Sequence, residues 1–134
     1  MAARILVIED NPSLLALYSD LFEDEGYEVT LQSTPQLDLT TIMAATPDLI
    51  VLDLLFDGDL TGLETLEGLK LQSATAAIPV VICSAATKSV EEMQASFTTM
   101  GAHFLKKPFD LDTLLDVVRH LLNNNAALPQ AITS

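Results

Sequence analysis

The chain has 134 residues, enough for one domain with a single sizeable core, and its hydrophobic share of 49% argues against disorder. Nineteen acidic residues against six Lys+Arg give a net charge of -13, which makes nucleic acid a poor partner and a basic protein surface or a divalent cation a natural one. The single cysteine, Cys83, excludes an internal disulfide and so allows a reducing compartment.

Residues 1–4 lead straight into an apolar run, without the anatomy of a signal peptide. That run, Arg4 to Ile8, is short, rich in Ile, Val and Leu, and does not alternate with polar residues. It therefore predicts a strand of a parallel sheet covered on both faces. Asn11 can cap a helix and Pro12 can take its first position, with Leu14, Tyr18, Leu21 and Phe22 on one face. Residues 27–31 alternate, as a half-exposed edge strand should. Pro35 is expected to open a weaker second helix ending near Ala45.

Leu49 to Leu52 is the next buried strand. Thr61 and Glu64 have the spacing of a capping box for a third helix that carries Leu63, Leu66 and Leu69. The uncharged stretch 71–87 is polar at its start and contains Pro79, so it falls short of a membrane span. Residues 79–83 read as a strand, and Cys83 within it as core. Ser89 and Glu92 suggest a second capping box, before Met93, Phe97 and Met100, with Gly101 just past the helix end. Residues 103–105 are a weaker fifth strand. Asp110 starts a last helix with an apolar stripe from Leu111 through Leu114, Leu115 and Val118 to Leu122. His120 on that helix is expected at the surface or as helix-end decoration, and neither it nor His103 has a partner at metal-ligand spacing. Periodicity is lost from Asn123 onward, so residues 1–122 are expected to form the domain and 123–134 a tail or truncated linker.

Five alternating strand-helix units predict an α/β domain with a parallel sheet and helices on both faces. In such sheets ligands bind outside the carboxyl ends of the strands. Those ends carry Glu9 and Asp10, Asp53, Ser84 and Lys107. Three carboxylates in one crevice repel each other, and a hard divalent cation with oxygen ligands, Mg²⁺ or Mn²⁺, relieves the repulsion. A carboxylate so screened can act as a covalent nucleophile toward a phosphoryl group. A hydroxyl and an ammonium then complete a cradle for the transferred oxygens.

Four segments make a family resemblance specific: Ile5-Leu-Val-Ile-Glu-Asp-Asn-Pro12, Pro47-Asp-Leu-Ile-Val-Leu-Asp-Leu54, Val80-Val-Ile-Cys-Ser-Ala85 and Phe104-Leu-Lys-Lys-Pro-Phe109. In that order and spacing, the chain resembles the receiver domains of two-component response regulators over about residues 4–122. The resemblance implies a flavodoxin-like, doubly wound (βα)5 fold with strand order 2-1-3-4-5. It implies that Asp53 is the phosphoacceptor, that Glu9, Asp10, Asp53 and the backbone carbonyl of Leu55 hold Mg²⁺ (or Mn²⁺), and that Ser84 and Lys107 contact the phosphoryl group. Phe104 matches the aromatic switch on the face made by the fourth helix, fifth strand and last helix, and Lys107-Pro108 is expected to be cis. A sensor histidine kinase or histidine phosphotransferase is the implied partner in a cytoplasmic signalling role, with homodimerisation through the same face as an option. Neither nucleic acid nor membrane is an expected partner of the domain alone.

The sequence departs from the family in three places. Asp57 stands where a proline is usual, the segment from Asp53 to Gly62 is one residue longer, and that from Gly101 to Lys107 is one shorter. Asp57 and Asp59 are expected in an exposed acidic loop. A haloacid-dehalogenase-like phosphohydrolase would need an acid at Leu55, and a flavodoxin-like cofactor carrier would need a phosphate loop where Glu9 and Asp10 stand. A pseudo-receiver acting only as an interaction module is the remaining alternative, opposed by the full set of acids, Ser84 and Lys107.

Overall fold

Five parallel strands form one sheet in the order β2-β1-β3-β4-β5, in a computed structural model that describes residues 2–36, 38–56, 59–85 and 87–123. The strands are β1 (Arg4–Ile8), β2 (Glu28–Gln32), β3 (Leu49–Leu52), β4 (Val80–Ala85) and β5 (Ala102–Lys107). The helices are α1 (Pro12–Asp24), α2 (Leu39–Ala45), α3 (Thr61–Leu71), α4 (Lys88–Glu92), α5 (Gln94–Thr99) and α6 (Leu111–Asn123). This is the flavodoxin-like doubly wound arrangement that the sequence implies. The tail expected at 123–134 lies outside the described residues beyond Asn123, as does Asp57.

The two-residue period of a strand divides the core into two layers. Leu6, Ile8, Ile50, Leu52, Val80 and Ile82 face one side, under Ile42 of α2, Leu66 and Leu69 of α3, Val90 of α4 and Phe97 of α5. Ile5, Val7, Leu49, Val51, Val81 and Cys83 face the other, under Leu15, Tyr18 and Phe22 of α1 and Leu114, Leu115 and Val118 of α6. Strands β1, β3 and β4 are buried on both faces, which is why their sequences do not alternate. The edge strand β2 is exposed at Glu28, Thr30 and Leu31.

Helix starts follow the sequence unevenly. Asn11 caps α1 as expected, its side-chain oxygen accepting from the amides of Ser13 (2.9 Å) and Leu14 (3.3 Å). The second helix starts at Leu39, not Pro35, because Asp38 accepts from the amides of Thr40 and Thr41 at 3.0 and 3.3 Å. Pro35 stays in the loop, with its carbonyl taken by the Thr65 hydroxyl of α3. Neither expected capping box forms. Leu60 is the N-cap of α3 and makes no side-chain cap, while Thr87, not Ser89, caps the next helix by accepting from Val90 at 3.2 Å. That helix is also broken: the Met93 amide bonds back to Val90, three residues away, and ends α4 before α5 begins. Gly101 then takes the left-handed conformation (φ 74°) just past α5.

The lengthened segment after β3 is anchored. Backbone bonds pair Phe56 and Asp59 in both directions at 2.9 and 3.0 Å, and the Phe56 side chain is only 6% exposed within the core layer of α3. Phe56→Ala should therefore lower the unfolding free energy by about 3–5 kcal/mol. Leu71, 81% exposed, should tolerate alanine within about 0.5 kcal/mol. Urea unfolding of both variants checks the contrast, and equal small losses would show that the loop is not held by Phe56.

Candidate functional site

At the carboxyl edge of the sheet, the ends of β1, β3 and β5 converge. Glu9 follows β1 and Asp53 follows β3, both buried (2% and 7% exposed) although both are carboxylates. The Glu9, Asp10 and Asp53 carboxylates each place an oxygen within 4.8 Å of the other two. Lys107, the last residue of β5, reaches between two of them, with Nζ 3.2 Å from Glu9 Oε1 and 3.1 Å from Asp53 Oδ2.

Backbone donors fix the remaining oxygens. The Asn11 amide donates to Glu9 Oε2 at 3.1 Å, and the Leu55 amide donates to Asp53 Oδ1 at 3.0 Å. Each acid is thus oriented by the amide two residues ahead of it, while its second oxygen faces the lysine. Burial first, and then Asp53, raise the Glu9 carboxyl to about 7 against the opposing pull of Lys107. Burial alone would lower the Lys107 ammonium, but Asp53 and Glu9 outweigh it and hold the ammonium above its ordinary range.

The acid trio fits a small divalent cation. Its three carboxylate oxygens lie within 4.8 Å of one another, and oxygen ligands of that kind, with waters, would suit Mg²⁺. Ser84 lies near the carboxyl end of β4. It is fully buried, and its hydroxyl has no hydrogen-bond partner among the described residues. A buried hydroxyl without a partner costs free energy.

The other sequence-derived candidates fall as follows. Phe104 is half-buried and packs its ring on Phe97 of α5, with centroids 5.8 Å apart. The Lys107-Pro108 bond is cis. Cys83 is core, and burial pushes its thiol up. His120 stands in the last turn of α6 and is half-buried: its Nε2 is inaccessible and has no partner among the described residues. Lys106 forms an exposed pair with Glu91 at 3.8 Å. Asp59 is exposed. Sequence reasoning missed the amides of Asn11 and Leu55, since every residue has an amide and only the fold aims it.

A doubly wound sheet of order 2-1-3-4-5 with acids, hydroxyl and lysine at its carboxyl edge defines a receiver-type signalling module. The chain belongs to the response regulator receiver domain family, which matches residues 5–119. It is similar to the DNA-binding dual master transcriptional regulator RpaA of Synechocystis, at 33% identity over 96% of this chain and 52% of RpaA. The chain thus spans about half the length of that relative. Among solved structures it is similar to chemotaxis protein CheY4 of Vibrio cholerae, with a TM-score of 0.76 at 27% identity over 89% of this chain and 98% of that one. It is also similar to the receiver domain of NtrX from Brucella abortus, with a TM-score of 0.75 at 31% identity over 90% and 98% of the two chains. The domain is therefore a signalling module of two-component systems. No helix among the described residues is long and apolar enough to cross a membrane.

The raised Glu9 carboxyl gives a pH dependence with a definite sign. A carboxyl at about 7 in the fold, against an ordinary value of 4.5, binds its proton more tightly when folded. Its contribution to stability is therefore present at low pH and is lost as pH rises through 7. Metal-free protein should melt at a lower temperature at pH 8 than at pH 5.5, and Glu9→Gln should flatten that difference. Thermal scans in chelator at both pH values check this, and an unchanged pH difference in the variant would remove Glu9 as its source.

Proposed function

We propose that this receiver domain accepts a phosphoryl group on Asp53 from a phosphohistidine donor, a sensor histidine kinase or a histidine phosphotransferase, in the cytoplasm. The observation that carries the reading is the pairing of a buried, oriented Asp53 carboxylate with the Lys107 ammonium at 3.1 Å and the unpartnered Ser84 hydroxyl. An Asp53 carboxylate oxygen forms the new bond to phosphorus as the bond from phosphorus to the donor nitrogen breaks, and the electron pair leaves with the imidazole. Lys107 neutralises charge on the transferred oxygens, and Ser84 donates a hydrogen bond to one of them.

Glu9, Asp10, Asp53 and the Leu55 carbonyl would hold Mg²⁺ (or Mn²⁺), which when bound supplies positive charge that lets the carboxylate approach a phosphoryl group. Phosphorylation gives Ser84 and Lys107 phosphoryl oxygens to bond and draws Phe104 inward, changing its packing on Phe97, on the face made by α4, α5, β5 and α6. That face is also where a homodimer would form. An apolar groove of about 460 Å³ lined by Leu14, Leu17, Tyr18, Pro108 and Phe109 borders Lys107 and gives a donor protein a surface next to the nucleophile. The receiver domain is read as residues 1–122, and 123–134 as a tail or truncated linker. Its net charge of -13 makes DNA binding the task of other domains, where they exist.

A phosphohydrolase acting on an outside substrate is the weaker reading, because position 55, where its general acid would stand, is leucine. Incubation with acetyl phosphate and Mg²⁺ should add one base-labile phosphoryl group by intact mass, and Asp53→Asn should add none. Equal labelling of that variant would remove Asp53 as the acceptor.

A further inference from the structure

Helix α3 begins without a side-chain cap, yet its first turn does not leave its amides idle. The Gly62 amide donates to the Leu54 carbonyl at 2.9 Å. The next amide along that segment, Leu55, donates to Asp53 Oδ1 at 3.0 Å. The Leu54 carbonyl and the Leu55 N–H belong to one planar peptide unit, so they turn together. One peptide therefore joins the start of α3 to the carboxylate of Asp53.

Only glycine permits that contact. A Cβ at position 62 would lie 2.2 Å from the Asp53 carbonyl oxygen and 2.6 Å from the Leu54 Cα. Both are backbone atoms, which cannot swing aside as a side-chain tip can. The requirement is for space, since Gly62 lies within the right-handed helix α3. A methyl group there must push the helix start away from β3 or twist the Leu54–Leu55 peptide.

We propose that Gly62 is a positioning residue for Asp53, which sets the Leu54–Leu55 peptide plane and through it the orientation of the acceptor carboxylate. The inference rests on Asp53 being the phosphoacceptor, but its structural half can be tested without phosphorylation.

The test compares Gly62→Ala with Leu69→Ala, a buried position further along α3 that belongs to the same core. In metal-free protein, the Leu55 amide should exchange with solvent at least about 10-fold faster in Gly62→Ala than in Leu69→Ala at equal fraction folded. With acetyl phosphate and saturating Mg²⁺, Gly62→Ala should label about 10- to 100-fold more slowly, and Leu69→Ala at close to the wild-type rate. A Gly62→Ala domain that folds, protects Leu55 and labels normally would overturn the proposal. If that variant does not fold, amide exchange in the wild type decides. Leu55 and Gly62 exchanging through one shared opening supports the coupling, and separate openings refute it. Wild-type protein that takes no label would count against the acceptor assignment, while the amide comparison would still decide the coupling.

Discussion

The site depends on one ammonium placed between two buried carboxylates. Lys107 Nζ lies 3.1 Å from Asp53 and 3.2 Å from Glu9, and the two acids are almost wholly withdrawn from water. A single pair at that distance is worth roughly 5 kcal/mol gross at an effective dielectric of about 20. Desolvation takes most of it back, so the cluster is not a device for stability. Its value is conformational. It holds the Asp53 carboxylate oriented and next to the Lys107 ammonium. Asp10 adds a third carboxylate to the crevice, and the three acids form a group that could hold a metal ion.

The fold assembles this cluster from four separate segments. Parallel strands all point to one edge, so the residues just after β1 and β3 and the last residue of β5 meet in the same crevice, with Ser84 near the same end of β4. Local backbone then aims each group: amides two residues ahead orient Glu9 and Asp53, and the Leu54 carbonyl caps α3. The helix that covers the loop is thereby tied to the acceptor itself. On the other flank, β5 carries Lys107 into the site and Phe104 onto α5, so one strand joins the chemistry to the surface that would report it.

Much of this was legible in the sequence, for physical reasons that also explain what was not. Strands buried on both faces must be continuously apolar, so β1 and β3 could be read to the residue. Polar residues directly after such runs must sit at the sheet's edge, which exposed Glu9, Asp10, Asp53, Ser84 and Lys107 as a set. Caps were harder. Thr61 has the right spacing for a capping box, but the acceptor for the start of α3 is the Leu54 carbonyl across the loop, which local spacing cannot reveal. Pro35 suggested a helix start, but its carbonyl is held by Thr65 from α3 and Asp38 caps instead. The break at Met93 and the half-burial of His120 likewise depend on the turn taken and the neighbours met in three dimensions. Gly62 was visible only as a spacing marker, because a close approach of two backbones leaves no pattern in one chain.

The claim that Lys107 compensates the buried acids is tested most directly by a double-mutant cycle in metal-free protein at pH 8, using Lys107→Met and Asp53→Asn and urea unfolding. Alone, Lys107→Met should destabilise the fold by on the order of 3 kcal/mol, because it leaves two buried carboxylates without a counter-charge. Combined with Asp53→Asn it should cost much less, giving a coupling energy above about 1 kcal/mol. Additive effects of the two substitutions would contradict the account.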